Sequence, residues 1–201
     1  MPRLGMVIDL VRCVGCDACT VACQTENGTP QGIHYAPVFR RELGKYPQAK
    51  VVFVPTLCMH CENPACLKAC PTGAISKRKK DGIVLVDQDK CCGTKACMAA
   101  CPYGALHFYD HQSGMYGDTL TPPEEYWLQK FQVGTVQKCT FCAHRVDRGE
   151  KPACVVTCPT NCRIFGDLDD PQSEVSTLIR ERSGAQARPE AGTNPSVYYL
   201  R

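Results

Sequence analysis

Short apolar runs, separated by glycine, proline and polar residues, recur along the chain. Residues 5–10 (GMVIDL), 50–54 (KVVFV) and 82–86 (GIVLV) are rich in branched apolar side chains and predict short β-strands. No stretch approaches the about eighteen uncharged residues that a membrane-spanning helix needs. The 201 residues therefore predict one domain, or two small ones, built from short elements.

Cysteine changes this picture, because the chain contains 17 of them. Such a density is typical of disulfide-linked secreted proteins. The first ten residues, however, lack the apolar core of a signal peptide, so we expect the cysteines to serve another purpose. The 23 Lys and Arg residues nearly balance the 20 Asp and Glu residues, and this balance argues against a nucleic-acid partner.

The cysteines fall into four groups with related spacing. The groups are Cys13, Cys16, Cys19 and Cys23; Cys58, Cys61, Cys66 and Cys70; Cys91, Cys92, Cys97 and Cys101; and Cys139, Cys142, Cys154 and Cys158. In the third group, Thr94 stands where the spacing of the first group has a cysteine. Cys162 lies outside the groups and is expected to be a small buried apolar residue.

This spacing predicts iron–sulfur clusters. Three cysteines at intervals of three let a tight loop hold three corners of a cubane cluster, and the fourth cysteine ligates the other cluster of a pair. A proline after the fourth cysteine, as at Pro71, Pro102 and Pro159, suits the start of a helix. Structural zinc instead uses separated pairs of cysteines, often with histidine, so zinc is the weaker interpretation.

The crossing of the fourth cysteine predicts four ligand sets, which we name by their first residue. They are the Cys13 set (Cys13, Cys16, Cys19 and Cys158), the Cys23 set (Cys23, Cys139, Cys142 and Cys154), the Cys58 set (Cys58, Cys61, Cys66 and Cys101) and the Cys70 set (Cys70, Cys91 and Cys97). No catalytic residue is predicted, because no acid–base pair is suggested near these groups.

The predicted fold is α+β, with two ferredoxin-like dicluster modules, one inserted in the other. Residues 58–102 would form the inner module, residues 1–57 and 103–170 the outer module, and residues 171–201 a C-terminal tail. Helices of two or three turns are expected after Cys19, Cys66, Cys97 and Cys154. The insertions and the polar C-terminal segment are expected to contact partner subunits.

Two further features have alternative interpretations. The basic residues 77–80 (KRKK) predict a solvated hairpin turn, with a docking patch as the alternative. His60 and His144 lie inside cysteine loops and could ligate metal, but sufficient thiolates surround them. Packing or support of the thiolate ligands is therefore favoured for both histidines.

Residues 139–145 (CTFCAHR) and 158–167 (CPTNCRIFGD), with the spacing of all four groups, resemble the electron-transfer β subunits of molybdopterin oxidoreductases, those of polysulfide and thiosulfate reductases in particular. The resemblance covers about residues 3–170. It implies a molybdopterin (Mo or W) catalytic subunit near the Cys13 set and a quinone-reactive integral membrane subunit near the Cys70 set. It also implies a peripheral membrane complex, either on the cytoplasmic face or exported with a signal-bearing catalytic partner.

Thr94 departs from this family, most four-cluster members of which have a cysteine there. The three thiolates of Cys70, Cys91 and Cys97 suit a [3Fe-4S] cluster, beside three [4Fe-4S] clusters elsewhere. Alternatively, Cys92 or the Thr94 hydroxyl completes a fourth [4Fe-4S] cluster. Other functions left open are a free polyferredoxin-type shuttle, a subunit of a related quinone-linked complex, and reduction of a substrate at the open cluster corner.

Overall fold

The computed structural model describes residues 2–201 and contains only short elements. The strands are β1 (Leu4–Asp9), β2 (Val38–Leu43), β3 (Lys50–Pro55), β4 (Ile75–Lys77), β5 (Val84–Val86), β6 (Leu106–Tyr109), β7 (Thr135–Lys138), β8 (Arg163–Asp167), β9 (Ala185–Gln186) and β10 (Val197–Leu200). The helices are α1 (Ala18–Asn27), α2 (Ala65–Lys68), α3 (Ala96–Ala100), α4 (Pro122–Leu128), α5 (Ala143–Val146), α6 (Ala153–Val156) and α7 (Glu174–Glu181), with a 3₁₀ turn at Pro189–Ala191. The three predicted strands are confirmed as β1, β3 and β5.

The four predicted helices also form, but three of them are shorter than expected. Only α1 reaches ten residues, whereas α2, α3 and α6 have four or five. Proline disfavours helical geometry in the residue before it. Cys101, which precedes Pro102, accordingly ends α3 with ψ near 114°. The fourth cysteine of the group and its proline therefore limit this helix to a little over one turn.

A four-stranded sheet in the order β8-β1-β10-β9 forms one side of the molecule. Strand β1 is central, antiparallel to β8 and parallel to β10, and its Met6, Val7 and Ile8 are fully buried. Residues 171–201 do not form a polar tail, because they supply β9 and β10 to this sheet and α7, which packs against β8 and β1. Val197 and Leu200 are fully buried there, since the apolar residues at the chain end complete the core over β1.

Three antiparallel hairpins complete the fold: β2 with β3, β4 with β5, and β6 with β7. The basic residues 77–80 turn between β4 and β5, as predicted. Arg78 pairs with Asp81 and Asp147, and Lys80 Nζ lies 2.7 Å from Asp147 Oδ1. These ion pairs hold the turn against the end of α5.

Cysteine side chains take a large share of the interior. The largest buried cluster mixes Cys19, Cys23, Cys58, Cys139 and Cys154 with apolar residues of β1 and β10. A second cluster packs Cys66 and Cys97 against residues of the β4–β5 and β6–β7 hairpins. No helix within residues 2–201 is long and apolar enough to cross a bilayer.

Candidate metal centres

Left-handed backbone conformations shape the cysteine loops. In the first loop, Gly15 directly before Cys16 has a φ of 68°, and Asp17 directly after it has a φ of 57°. In the third loop, Gly93 and Lys95 have φ of 69° and 59° on either side of Thr94. Positive φ turns the chain tightly, so that consecutive peptide groups curve around a common centre. Both loops then enter a helix, α1 or α3, that carries the third cysteine.

The Cys58 set lies together in the structure. Burial and the neighbouring thiols of Cys58, Cys101 and Cys61 raise the pKa of Cys66 to about 12. Burial and the thiols of Cys58 and Cys101 raise the pKa of Cys61 to about 11. Cys58 and Cys61 lie in the loop before α2, Cys66 lies in α2, and Cys101 ends α3. Helices α2 and α3 pack against each other.

The Cys23 set is assembled from distant parts of the chain. Burial and the thiols of Cys154 and Cys142 raise the pKa of Cys23 to about 12. Burial, with Cys23 among the neighbouring thiols, raises the pKa of Cys139 well above its ordinary value. Asn27 Nδ2, at the end of α1, lies 3.4 Å from Cys23 Sγ and 3.9 Å from Cys142 Sγ.

The Cys70 set surrounds a small cavity between α3 and the β4–β5 hairpin. Cys70, Cys91 and Cys97 all line this cavity. Burial and the thiols of Cys91 and Cys70 raise the pKa of Cys97. Cys92 and Thr94 belong to the same lining, and Cys92 Sγ lies 3.9 Å from Thr94 Oγ1. The structure therefore brings both alternative ligands near the predicted three.

The Cys13 set lies at the edge of the sheet. Cys158 Sγ is 3.5 Å from Cys162 Sγ, and the Cys13 thiol is a second neighbour of Cys162. Burial opposes ionisation of Cys158, but the backbone N–H of Cys162 and the Thr160 hydroxyl outweigh it and lower its pKa to about 7. Cys19 is buried, whereas Cys16 is exposed at the surface. Cys162 itself is buried, as predicted.

Iron–sulfur clusters fit this arrangement on two grounds. First, backbone N–H groups point at the thiols: Phe141 donates to Cys139 Sγ at 3.4 Å and Val136 to Cys91 Sγ at 3.4 Å. Second, thiols of the Cys23, Cys58 and Cys70 sets are neighbours of one another in the interior, and grouped soft thiolates are the donors that iron–sulfur clusters take. The cysteines named in each set are the groups that would hold the clusters, which supply one-electron chemistry.

The two histidines occupy different environments. His60 is fully buried, its Nδ1 accepts the Val84 N–H at 3.1 Å, and its ring stacks on Phe141 with centroids 3.8 Å apart. His144 Nε2 lies 2.7 Å from Glu26 Oε1 at the surface. These contacts agree with the packing and supporting roles favoured from the sequence.

Sequence reasoning missed two buried cations beside the thiols, Arg163 and Lys138. Both are 2% exposed. Each directly adjoins a cysteine in sequence, Cys162 and Cys139 respectively. That adjacency alone gives no signal of burial, since a basic residue at a strand end is usually solvated.

Comparison with known proteins gives a consistent result. The chain matches the family described as 4Fe-4S dicluster domain over residues 49–118 and 121–168, and a second family of the same description over residues 12–74. It is 44% identical to the arsenate respiratory reductase iron-sulfur subunit ArrB of Shewanella sp. strain ANA-3, over 99% of this chain and 96% of that protein. It is 41% identical to the B subunit of sulfite dehydrogenase from Allochromatium vinosum, over 100% of this chain and 83% of that protein. The B subunit of tetrathionate reductase from Salmonella typhimurium is 40% identical, over 98% of this chain and 72% of that protein.

The chain is thus an iron–sulfur protein with ferredoxin-like 4Fe-4S dicluster domains and mixed helix and strand content. It belongs to the family of iron–sulfur B subunits of molybdopterin oxidoreductase complexes, and the resemblance read from the sequence is confirmed. Its relatives are electron-transfer subunits of reductase complexes.

Proposed function

We propose that this chain conducts electrons between a molybdopterin catalytic subunit and a quinone-reactive membrane subunit, through four clusters in a row. The observation that carries the proposal is that each thiol set adjoins the next. The Cys19 thiol is a neighbour of the Cys154 thiol, which links the Cys13 and Cys23 sets. Cys58 is a neighbour of Cys139, which links the Cys23 and Cys58 sets. Cys66 and Cys97 share one buried cluster, which links the Cys58 and Cys70 sets.

The fifteen cysteines of the four sets are the proposed ligands, with three [4Fe-4S] clusters and a [3Fe-4S] cluster on Cys70, Cys91 and Cys97. Three ligands at the last site are supported by Thr94, which holds the place in the third loop that Cys16 holds in the first and offers a hydroxyl instead of a soft thiolate. A cubane corner without a protein ligand loses its iron readily, and a [3Fe-4S] cluster remains.

The proposed modules follow the packing of the helices that carry the ligands. Helix α1 packs against α6, and β1 pairs with β8, so that the two ends of the chain support the Cys13 and Cys23 sets. Helix α2 packs against α3 in the middle of the chain, around the Cys58 and Cys70 sets. This division supports an inner module inserted in an outer one.

The surface near Cys16 supports docking of the catalytic subunit at this end. Cys16, Val21 and Thr157 line one shallow depression, and Val21 is 59% exposed. Val14 and Val156, close to the same cysteines in sequence, are also exposed. Apolar side chains grouped around a ligand loop are typical of an interface that excludes water. We place the membrane subunit at the opposite end, near the Cys70 set, in a peripheral membrane complex.

Metal analysis and purification test the proposal together. Three four-iron clusters and one three-iron cluster require about fifteen irons per chain. The native chain should also purify with a large molybdopterin subunit and a membrane subunit. An iron content of about eight or below, or stoichiometric zinc, would refute the cluster assignment. A monomer with full iron content would instead indicate a free shuttle.

A further inference from the structure

Arg163, the first residue of β8, is a buried cation without an acidic partner. The residue is 2% exposed, and its Nη1 lies 3.7 Å from Met6 Sδ and 4.0 Å from Cys154 Sγ. Its Nε and Nη2 have no hydrogen-bond partner within the described part of the chain. No carboxylate of residues 2–201 forms an ion pair with it. Unpaired buried charge is strongly destabilising, so this guanidinium needs a negative group that the protein alone does not supply.

The thiols around Arg163 belong to two different sets. Cys154 Sγ is the thiol sulfur 4.0 Å from Nη1, and the Cys19 thiol is a second neighbour of the guanidinium. Cys154 is a proposed ligand in the Cys23 set, and Cys19 is one in the Cys13 set. Arg163 therefore lies at the junction between the first and second sets.

Lys138, the last residue of β7, occupies the next junction. Its side chain is 2% exposed, and Nζ donates to the carbonyl oxygens of Val84 and, at 2.8 Å, Cys139. Both acceptors are neutral, and no carboxylate of the described residues forms an ion pair with Lys138. Val84, whose carbonyl it contacts, packs in the same buried cluster as Cys66 of the Cys58 set, while the chain continues directly into Cys139 of the Cys23 set.

We propose that Arg163 and Lys138 are the built-in counter-ions of the clusters on either side of them and raise the reduction potentials of those clusters. Arg163 acts on the clusters of the Cys13 and Cys23 sets, and Lys138 on those of the Cys23 and Cys58 sets. The cluster of the Cys70 set has neither. The physical reason is that a reduced cluster carries more negative charge than an oxidised one, and net charge is one of the factors that set its potential. The inference rests on the proposed function, since it requires four clusters in this order.

The pattern of affected clusters is the test. Redox titrations of the purified complex, followed by electron paramagnetic resonance, give the midpoint potential of each cluster. Arg163→Gln should lower two of the four potentials, and Lys138→Gln should also lower two. The potential of the Cys23 cluster should fall in both variants, and the potential of the Cys70 cluster should change in neither. We expect a shift of at least about tenfold in the ratio of oxidised to reduced cluster, which is about 59 mV for a one-electron couple.

Two further variants separate charge from structure. Arg163→Lys keeps the positive charge and should hold both potentials closer to wild type than Arg163→Gln does. Arg180→Gln removes a positive charge from the exposed end of α7, and all four potentials should stay where they are. If Arg163→Gln loses a cluster altogether, Arg163→Lys must retain it, and loss in both variants would overturn the proposal.

Unchanged potentials in an Arg163→Gln complex that keeps its full iron content would also overturn the inference. So would equal shifts of all four clusters in each variant. Failure of the proposed function looks different, because the wild-type chain itself would then lack four clusters before any variant is compared.

Discussion

The first and third cysteine loops, residues 13–19 and 91–97, differ at the residue that decides how many thiolates they offer. Their backbones agree closely: the φ values of Gly15 and Gly93 differ by one degree, and those of Asp17 and Lys95 by two. In both loops the residue between the left-handed pair is exposed, and the residue three positions later is a buried cysteine. That exposed residue is Cys16 in one loop and Thr94 in the other.

This comparison separates loop geometry from ligand chemistry. The left-handed residues and the helix that follows suffice to shape the loop, because the third loop keeps the shape without the second cysteine. When Cys13 is matched with Cys91, Cys92 of the third loop takes the place of Val14 in the first loop, and Val14 is 56% exposed. Cys92 is likewise exposed. Because Val14 cannot be a ligand in the first loop, the matching position of Cys92 in the third loop supports the proposed three ligands at the Cys70 set.

The largest effect on iron content is expected when the second cysteine of the first loop is replaced by threonine, the residue that the third loop has at that position. Cys16→Thr should remove one thiolate from the Cys13 set without altering the loop. The iron content should fall by about one per chain, and the oxidised protein should gain a second spin-½ signal typical of a [3Fe-4S] centre. Complete loss of the cluster, with about four irons missing, would show that the loops are not equivalent.

The reverse substitution, Thr94→Cys, tests whether the third loop binds a four-iron cluster once it has the missing cysteine. Wild-type protein should show a spin-½ signal when fully oxidised, and Thr94→Cys should abolish it by supplying a fourth thiolate. The potential of that centre should fall, because the added thiolate contributes negative charge. Electron transfer with quinol should slow if this cluster exchanges electrons with the membrane subunit.

Cys92→Ala is the matched control for that exchange, as Val14→Ala is for the first loop. If Cys70, Cys91 and Cys97 are the three ligands of this cluster, Cys92→Ala should leave the spin-½ signal unchanged. A wild type without the signal, in which Cys92→Ala creates one, would establish Cys92 as a ligand and break the equivalence of the two loops.

The glycines test how the loop shape is held. A Cβ at Gly15 would overlap the Phe53 ring, and a Cβ at Gly93 would lie 2.6 Å from the Gly134 carbonyl oxygen. Each Ala substitution adds a positive-φ strain of about 1–3 kcal/mol and a steric overlap. Gly32→Ala is the control, since its φ is +77° with no atom within 4 Å. Heating should bleach the cluster absorbance at lower temperature in Gly15→Ala and Gly93→Ala than in the control. Equal loss in all three would mean that the close contacts are unimportant.

The sequence predicted the features that depend on local spacing. Short apolar runs predicted β1, β3 and β5, and the spacing of the cysteines predicted iron–sulfur clusters, the class of cofactor that the matched family binds. The place of β10 beside β1 was not predictable, because parallel pairing between the two ends of the chain leaves no local pattern. The burial of Arg163 and Lys138 was not predictable for a related reason, because it depends on which cysteines the fold brings around them.

The smallest expected effect concerns charge at matched positions of the two loops. Asp17 pairs with Arg40 of β2, whereas Lys95 Nζ lies 3.8 Å from the centroid of the Phe108 ring. Asp17→Asn should raise the potential of the Cys13 cluster slightly, and Lys95→Gln should lower that of the Cys70 cluster slightly, since the two substitutions remove charges of opposite sign. Solvent and salt screen both positions, so each shift should stay below about tenfold in the redox ratio and shrink as ionic strength rises. Shifts of the same sign in both variants would show that these substitutions act through loop structure rather than through charge.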